Sequence, residues 1–100
     1  MKNFRCYELA KTLYTECKKV PLKGEVRDQL LRSSLSICLN LIEGSAKQTD
    51  KERRRYYYIA LGSQREAFCI IELEHIDSIK ELADQLGASL YKLIKAIQVP

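Results

Sequence analysis

The sequence predicts an all-α protein, an antiparallel up-down-up-down four-helix bundle formed by residues 1–100 as one domain. Three observations carry this expectation. Apolar residues recur at spacings of three and four almost throughout, and period-two alternation is nowhere sustained. Glycine and proline number only four and two, few for a protein built of β-turns. The breaks fall at three places, Pro21–Gly24, Gly44–Asp50 and Glu74–Asp77, and cut the chain into four amphipathic pieces.

The first helix is expected over 3–19. Cys6, Ala10, Leu13, Cys17 and Val20 form its apolar seam, Pro21 ends it, and Gly24 opens a turn. The second is expected over 24–44, with Val26, Leu30, Ser33 or Ser34, Ile37 and Leu41 inward and Gly44 at the stop. The third is expected over 50–74. Thr49 and Glu52 have the spacing of a capping box, and Asp50 suits the positive end of the helix dipole. Its seam reads Tyr56, Ala60, Ser63, Ala67 and Ile70. The fourth is expected over 78–97, with Ser78 and Glu81 at capping spacing and Ile79, Leu82, Leu86, Leu90, Leu93 and Ile97 inward. Gly87 interrupts it at a cost of about 1 kcal/mol relative to alanine. Small residues on the second helix (Ser33, Ser34, Ser36) should come level with small ones on the third (Ala60, Gly62, Ser63), allowing close approach.

Composition narrows the function. Hydrophobic content of 46% with 30% charge is globular rather than disordered. The charged N-terminal stretch is neither a signal peptide nor a membrane span, so a cytoplasmic location is expected. Cys6, Cys17, Cys38 and Cys69 match no zinc or redox spacing, and His75 is the only histidine. No metal site, cofactor or disulfide is expected, and the cysteines read as reduced core thiols. No paired carboxylates or nucleophile–base arrangement stands out, so the chain reads as a binding and assembly protein rather than an enzyme.

Charge is uneven. Residues 47–65 hold six Lys/Arg against two Asp/Glu, whereas residues 66–100 hold three against six. The densest stretch is "TDKERRRYYYIALGS", Thr49–Ser63. Lys47, Lys51, Arg53 and Arg54 sit at a helix start, where phosphate is also favoured by the dipole, and are the candidate nucleic-acid contacts. At 100° per residue three consecutive tyrosines cannot share a face. With Tyr56 inward, an outward stripe of Tyr58, Leu61, Arg65 and Phe68 is expected to form an oligomer interface. Asn40 and Glu43 share a face near the hairpin, where Glu43 could meet Arg53, Arg54 or the open N–H groups of the third helix.

The stretch Leu31–Ala67 resembles the small bacterial proteins related to those encoded in intervening sequences of 23S ribosomal RNA genes. Ser36, Ile37, Asn40, Glu43 and Gly44 match one block of that family's pattern; Tyr58, Ile59, Ala60, Gly62, Ser63 and Glu66 match the second. Cys38 stands where the family commonly has proline, which predicts a straighter second helix. The resemblance implies a four-helix bundle assembled as a homo-oligomeric ring, commonly a pentamer. Nucleic-acid binding is the role usually suggested for the family. The reading is therefore an oligomer that binds RNA or DNA backbone weakly and with little sequence preference. The alternative is a protein-interaction scaffold without a nucleic-acid role.

Overall fold

The computed structural model describes residues 4–97. Four helices span Phe4–Cys17 (α1), Gly24–Ser45 (α2), Asp50–Leu73 (α3) and Asp77–Lys95 (α4), and no strand occurs among the described residues. The expected boundaries hold within about two residues; position 3, the expected first residue of α1, lies outside the described part. Each helix packs on its two neighbours around the bundle, α1 also meeting α4, and α2 with α3 forms the most extensive pair. The bundle is elongated, 43 × 21 × 20 Å.

Local chemistry accounts for the ends. Gly24 adopts φ +67, a conformation that a side chain would strain, and turns the chain into α2. The Thr49 hydroxyl accepts from the Glu52 backbone N–H at 3.2 Å, so the expected cap of α3 forms. The expected cap at Ser78 does not. α4 starts one residue earlier, with Ile76 in the cap position and no side-chain cap bond. The cause is the end of α3. His75 takes φ +57, its N–H bonds the Glu72 carbonyl, and the Ile76 N–H bonds the Ile71 carbonyl. This pair of bonds closes α3 as a Schellman turn and delivers the chain directly into α4.

The core is built from Cys6, Ala10, Leu13 and Cys17 on α1 and Leu30, Ile37, Cys38 and Leu41 on α2. Ala60, Leu61, Ala67 and Ile71 join from α3, and Ile79, Ala83, Leu86, Leu90 and Ile94 from α4. Ser33 and Ser34 are both buried, with hydroxyls bonded back to the Leu30 carbonyl at 3.1 and 2.8 Å. α2 runs as uninterrupted α-helix through Cys38. Cys69 departs from expectation and lies on the surface.

The third helix is rotated by one residue from the expected register. Tyr57, not Tyr56, enters the core, and Leu61, Gln64 and Ile71 take the places expected for Ser63 and Ile70. This rotation buries a leucine in place of a serine. It is permitted by Gly44, which lies in the last turn of α2, one residue before its end, and makes room for the Tyr57 ring. Ser63 is then free to face α2, where its hydroxyl bonds that of Ser36 at 2.8 Å. Gln64 is buried, and its Nε2 donates to the Ala83 carbonyl at 2.8 Å.

Candidate nucleic-acid interface

The end of α2, the start of α3 and the end of α4 converge at one end of the molecule. Ser45, Asp50, Arg53, Tyr57, Leu93, Ala96 and Ile97 line a shared cleft there. Segment 43–55 together with the last turn of α4 carries seven Lys/Arg and three carboxylates. Two of the cations, Lys92 and Lys95, were not foreseen, because they belong to the segment with net negative charge. Their position in the last turn of a helix, where cations favour the dipole, was the available signal.

The four expected contacts differ in their surroundings. Lys47 Nζ lies 3.4 Å from the Glu43 carboxylate and 5.0 Å from the centre of the Tyr56 ring. The Glu43 hydrogen bond, with Tyr56 adding, pushes the Lys47 ammonium above its ordinary pKa, so it stays charged. Arg53 Nη1 pairs with Asp50 at 2.6 Å, and its Nη2 donates to the Gln48 carbonyl at 3.3 Å. Arg54 lies over the Tyr58 ring at 5.6 Å, and Arg55 over Tyr56 at 5.6 Å. Lys51 and Arg54 make no ion pair with any described residue. Glu43 thus pairs with Lys47, not with Arg53, Arg54 or the α3 N–H groups, because the i, i+4 partner on its own side of the turn reaches it first. Asn40 stays within α2. Its Nδ2 donates to the Ser36 carbonyl at 2.9 Å and to the Ser36 hydroxyl at 3.1 Å.

The stripe expected to face outward is corrected by the register of α3. Leu61 is 6% exposed and belongs to the core, and Phe68 is half-buried against it. Tyr58 remains 50% exposed, and Arg65 is exposed. Leu61, Arg65 and Phe68 line a groove between α3 and α4 with Asp84, Gly87, Ala88 and Tyr91. Bare apolar side chains lie on α2, α3 and α4, Leu73 near the end of α3 being the most exposed, and on α2 they form a row. Leu35, Leu39 and Ile42 are exposed at spacings of four and three, with Ile59 of α3 also exposed. Sequence periodicity missed this row because the inner seam of α2 is apolar too.

No described residues form a cluster of three or more His, Cys, Asp or Glu placed to hold a metal ion. No helix among them is long and apolar enough to cross a membrane. No curated protein and no solved structure matches the chain. Residues 4–98 match the family described as 23S rRNA-intervening sequence protein. That match spans nearly the whole chain and includes both the Asn40–Gly44 block and the Tyr58–Glu66 block, so the chain belongs to the 23S rRNA-intervening sequence protein family.

Proposed function

We propose that this chain is a homo-oligomeric, antiparallel up-down-up-down four-helix bundle whose basic end binds RNA or DNA backbone weakly and with little sequence preference. The convergence of Lys92 and Lys95 with the Lys47–Arg55 segment carries the reading. Two stretches distant in sequence bring like charge to one end, which would repel itself without an anionic partner. The ion pairs there are exposed at the carboxylate, and such pairs contribute at most about 1 kcal/mol. Phosphate can therefore compete for Lys47 and Arg53, while Lys51 and Arg54 have no carboxylate to leave. Opposed running contacts support the antiparallel arrangement. Ser36 meets Ser63 while Gly44 meets Tyr57, and Gln64 meets Ala83 while Glu72 pairs with Lys80 at 3.6 Å.

The test is a salt series on recovered native protein with a labelled duplex. Affinity is expected to fall steeply with salt, with a log–log slope of about −0.9 for each phosphate contacted. A Lys92→Glu, Lys95→Glu double variant should weaken binding and flatten that slope. Unchanged affinity and slope would reduce the basic end to solvated helix termini.

The exposed row Leu35, Leu39 and Ile42 supports self-assembly, and a ring of five remains the expectation from the family resemblance. The same row suits the second reading, a scaffold that holds another protein. Assembly without any nucleic-acid affinity would favour it.

A further inference from the structure

Five of the six tyrosines lie beneath a cation, Tyr57 being the core exception. Most of these pairs need no ligand to explain them. Tyr7 and Tyr14 are half-buried on α1 with Lys11 and Lys18 folded over them. Tyr58 and Tyr91 differ, being 50% and 53% exposed. Arg54 Cζ lies 5.6 Å above the Tyr58 ring, and Lys95 Nζ lies 5.7 Å above the Tyr91 ring.

The two rings belong to opposite banks of one groove. Tyr91 lines the α3–α4 groove beside Ala88 and Gly87. Tyr58 precedes Leu61 and Arg65, which line the same groove, by three and seven residues, and so shares their side of α3. The register follows from Gln64, which bonds the Ala83 carbonyl and packs against Gly87. Followed toward the basic end, that register brings Tyr58 roughly level with Tyr91. Packed helix axes lie about 8–10 Å apart, so a strand running along the groove has an aromatic ring on each side.

We infer that the basic end of the α3–α4 groove binds single-stranded nucleic acid, with Tyr58 and Tyr91 stacking on unpaired bases and Arg54 and Lys95 meeting the neighbouring phosphates. The inference rests on the basic-end reading and narrows it. Ring faces attract any base, and cations on the same side chains' helices take the backbone, which is the combination that sequence-tolerant single-strand binding requires. A duplex hides its base faces and gains only the charge term. The groove also has a direction. Asp84, and beyond it Asp77 and Glu81, line the far end against a single Lys80 that pairs with Glu72, so carboxylates outnumber cations there and the strand engages from the end carrying Arg54 and Lys95.

The experiment is fluorescence anisotropy at low salt with oligo(U), oligo(dT) and RNA and DNA duplexes of the same length. Both single strands, or one of them, are expected to bind more tightly than either duplex, and the preferred strand distinguishes an RNA from a DNA ligand. Tyr58→Ala and Tyr91→Ala should each weaken single-strand binding by roughly five-fold or more. Duplex binding should stay unchanged, and Tyr58→Phe and Tyr91→Phe should keep the affinity. Equal binding of strands and duplexes, or neutral alanine variants, would overturn the groove while leaving the basic-end reading intact. No binding of any probe would overturn both. A change of sedimentation in the alanine variants would make the groove a subunit interface and overturn the inference as well.

Discussion

A Cβ built on Gly44 would lie 2.7 Å from Tyr57 Cε1 and 3.0 Å from Tyr56 Cβ. The ring is held in the core and the second atom is fixed to the α3 backbone, so neither yields cheaply. Gly44→Ala is expected to destabilise the fold by about 1–3 kcal/mol in urea denaturation, although alanine is the better helix former. Gly87 has a parallel cause. Its missing side chain leaves the space taken by the Gln64 amide, where a Cβ would lie 2.6 Å from Nε2. What reads in sequence as a fault in α4 is the room for a buried hydrogen bond. The core thiols set a pH limit. Burial pushes the Cys17 thiol from 9.0 up to about 11, against a smaller lowering by the neighbouring Ser34 hydroxyl, and it raises Cys6, Cys38 and Tyr57 in the same direction. Above pH 9 the unfolded chain releases a Cys17 proton that the folded chain keeps, so stability is whole below that pH and is lost as pH rises toward 11. Cys17 alone contributes about 2–3 kcal/mol to this loss. The melting temperature should fall from pH 9 upward, and less so in Cys17→Val; a flat profile to pH 11 would contradict the burial argument.

Among the elements, the α3–α4 turn is where a single backbone conformation governs two helices. His75 holds φ +57, which costs an ordinary side chain about 1–2 kcal/mol. Its side chain is exposed. His75→Gly removes that strain but loosens the unfolded chain, and a net stabilisation of up to about 1 kcal/mol is expected by thermal or urea denaturation. The element also shows why the Ser78 cap fails. Ser78 has the right spacing, but the turn at His75 delivers the chain into helical conformation at Asp77, and the Ile79 N–H already bonds the Ile76 carbonyl, so the helix begins before the serine. α2 carries apolar residues on two sides, one facing the core and one bare. Leu39, 56% exposed in the middle of the bare row, is the position at which a charge separates assembly from folding. Leu39→Glu should keep the helical circular dichroism of the parent while shifting sedimentation toward the 11.6 kDa subunit. If the parent itself sediments at that mass, the assembly proposal is wrong.

At the scale of the whole molecule, positive charge is concentrated at one end. α2 and α4 stop, and α3 begins, at an end rich in lysine and arginine; Glu72, Glu74, Asp77 and Glu81 gather around the α3–α4 turn with Lys80 among them, and the start of α2, with Lys23 and Arg27, lies beside the same turn. A polarised rod of this kind orients in the field of a polyanion before any contact forms, which favours fast, salt-sensitive association. The bare α2 row lies along the side of the rod rather than at its basic end. Assembly through that side would leave several basic ends on one rim, and weak single sites would then add through avidity.

The number of helices, their limits and the cap at Thr49 were legible in the sequence, because each depends on residues within one turn of one another. Periodicity, Pro21, Gly24 and the Thr49–Glu52 pair are local signals. The family blocks were legible for the same reason, as short strings at fixed separation. The rotation of α3 was not. Both Tyr56 and Tyr57 satisfy a 3.6-residue seam, and the choice is made by a gap in another helix, at Gly44, that only packing reveals. The candidate site divides the same way. Lys47, Lys51, Arg53 and Arg54 stand together in the chain, whereas Tyr91, Lys92 and Lys95 join them only when α4 returns to the end where α3 begins. Charge summed along the chain assigns those lysines to an acidic segment; charge summed over the folded surface assigns them to the basic end, because electrostatic fields follow distance in space and not along the sequence.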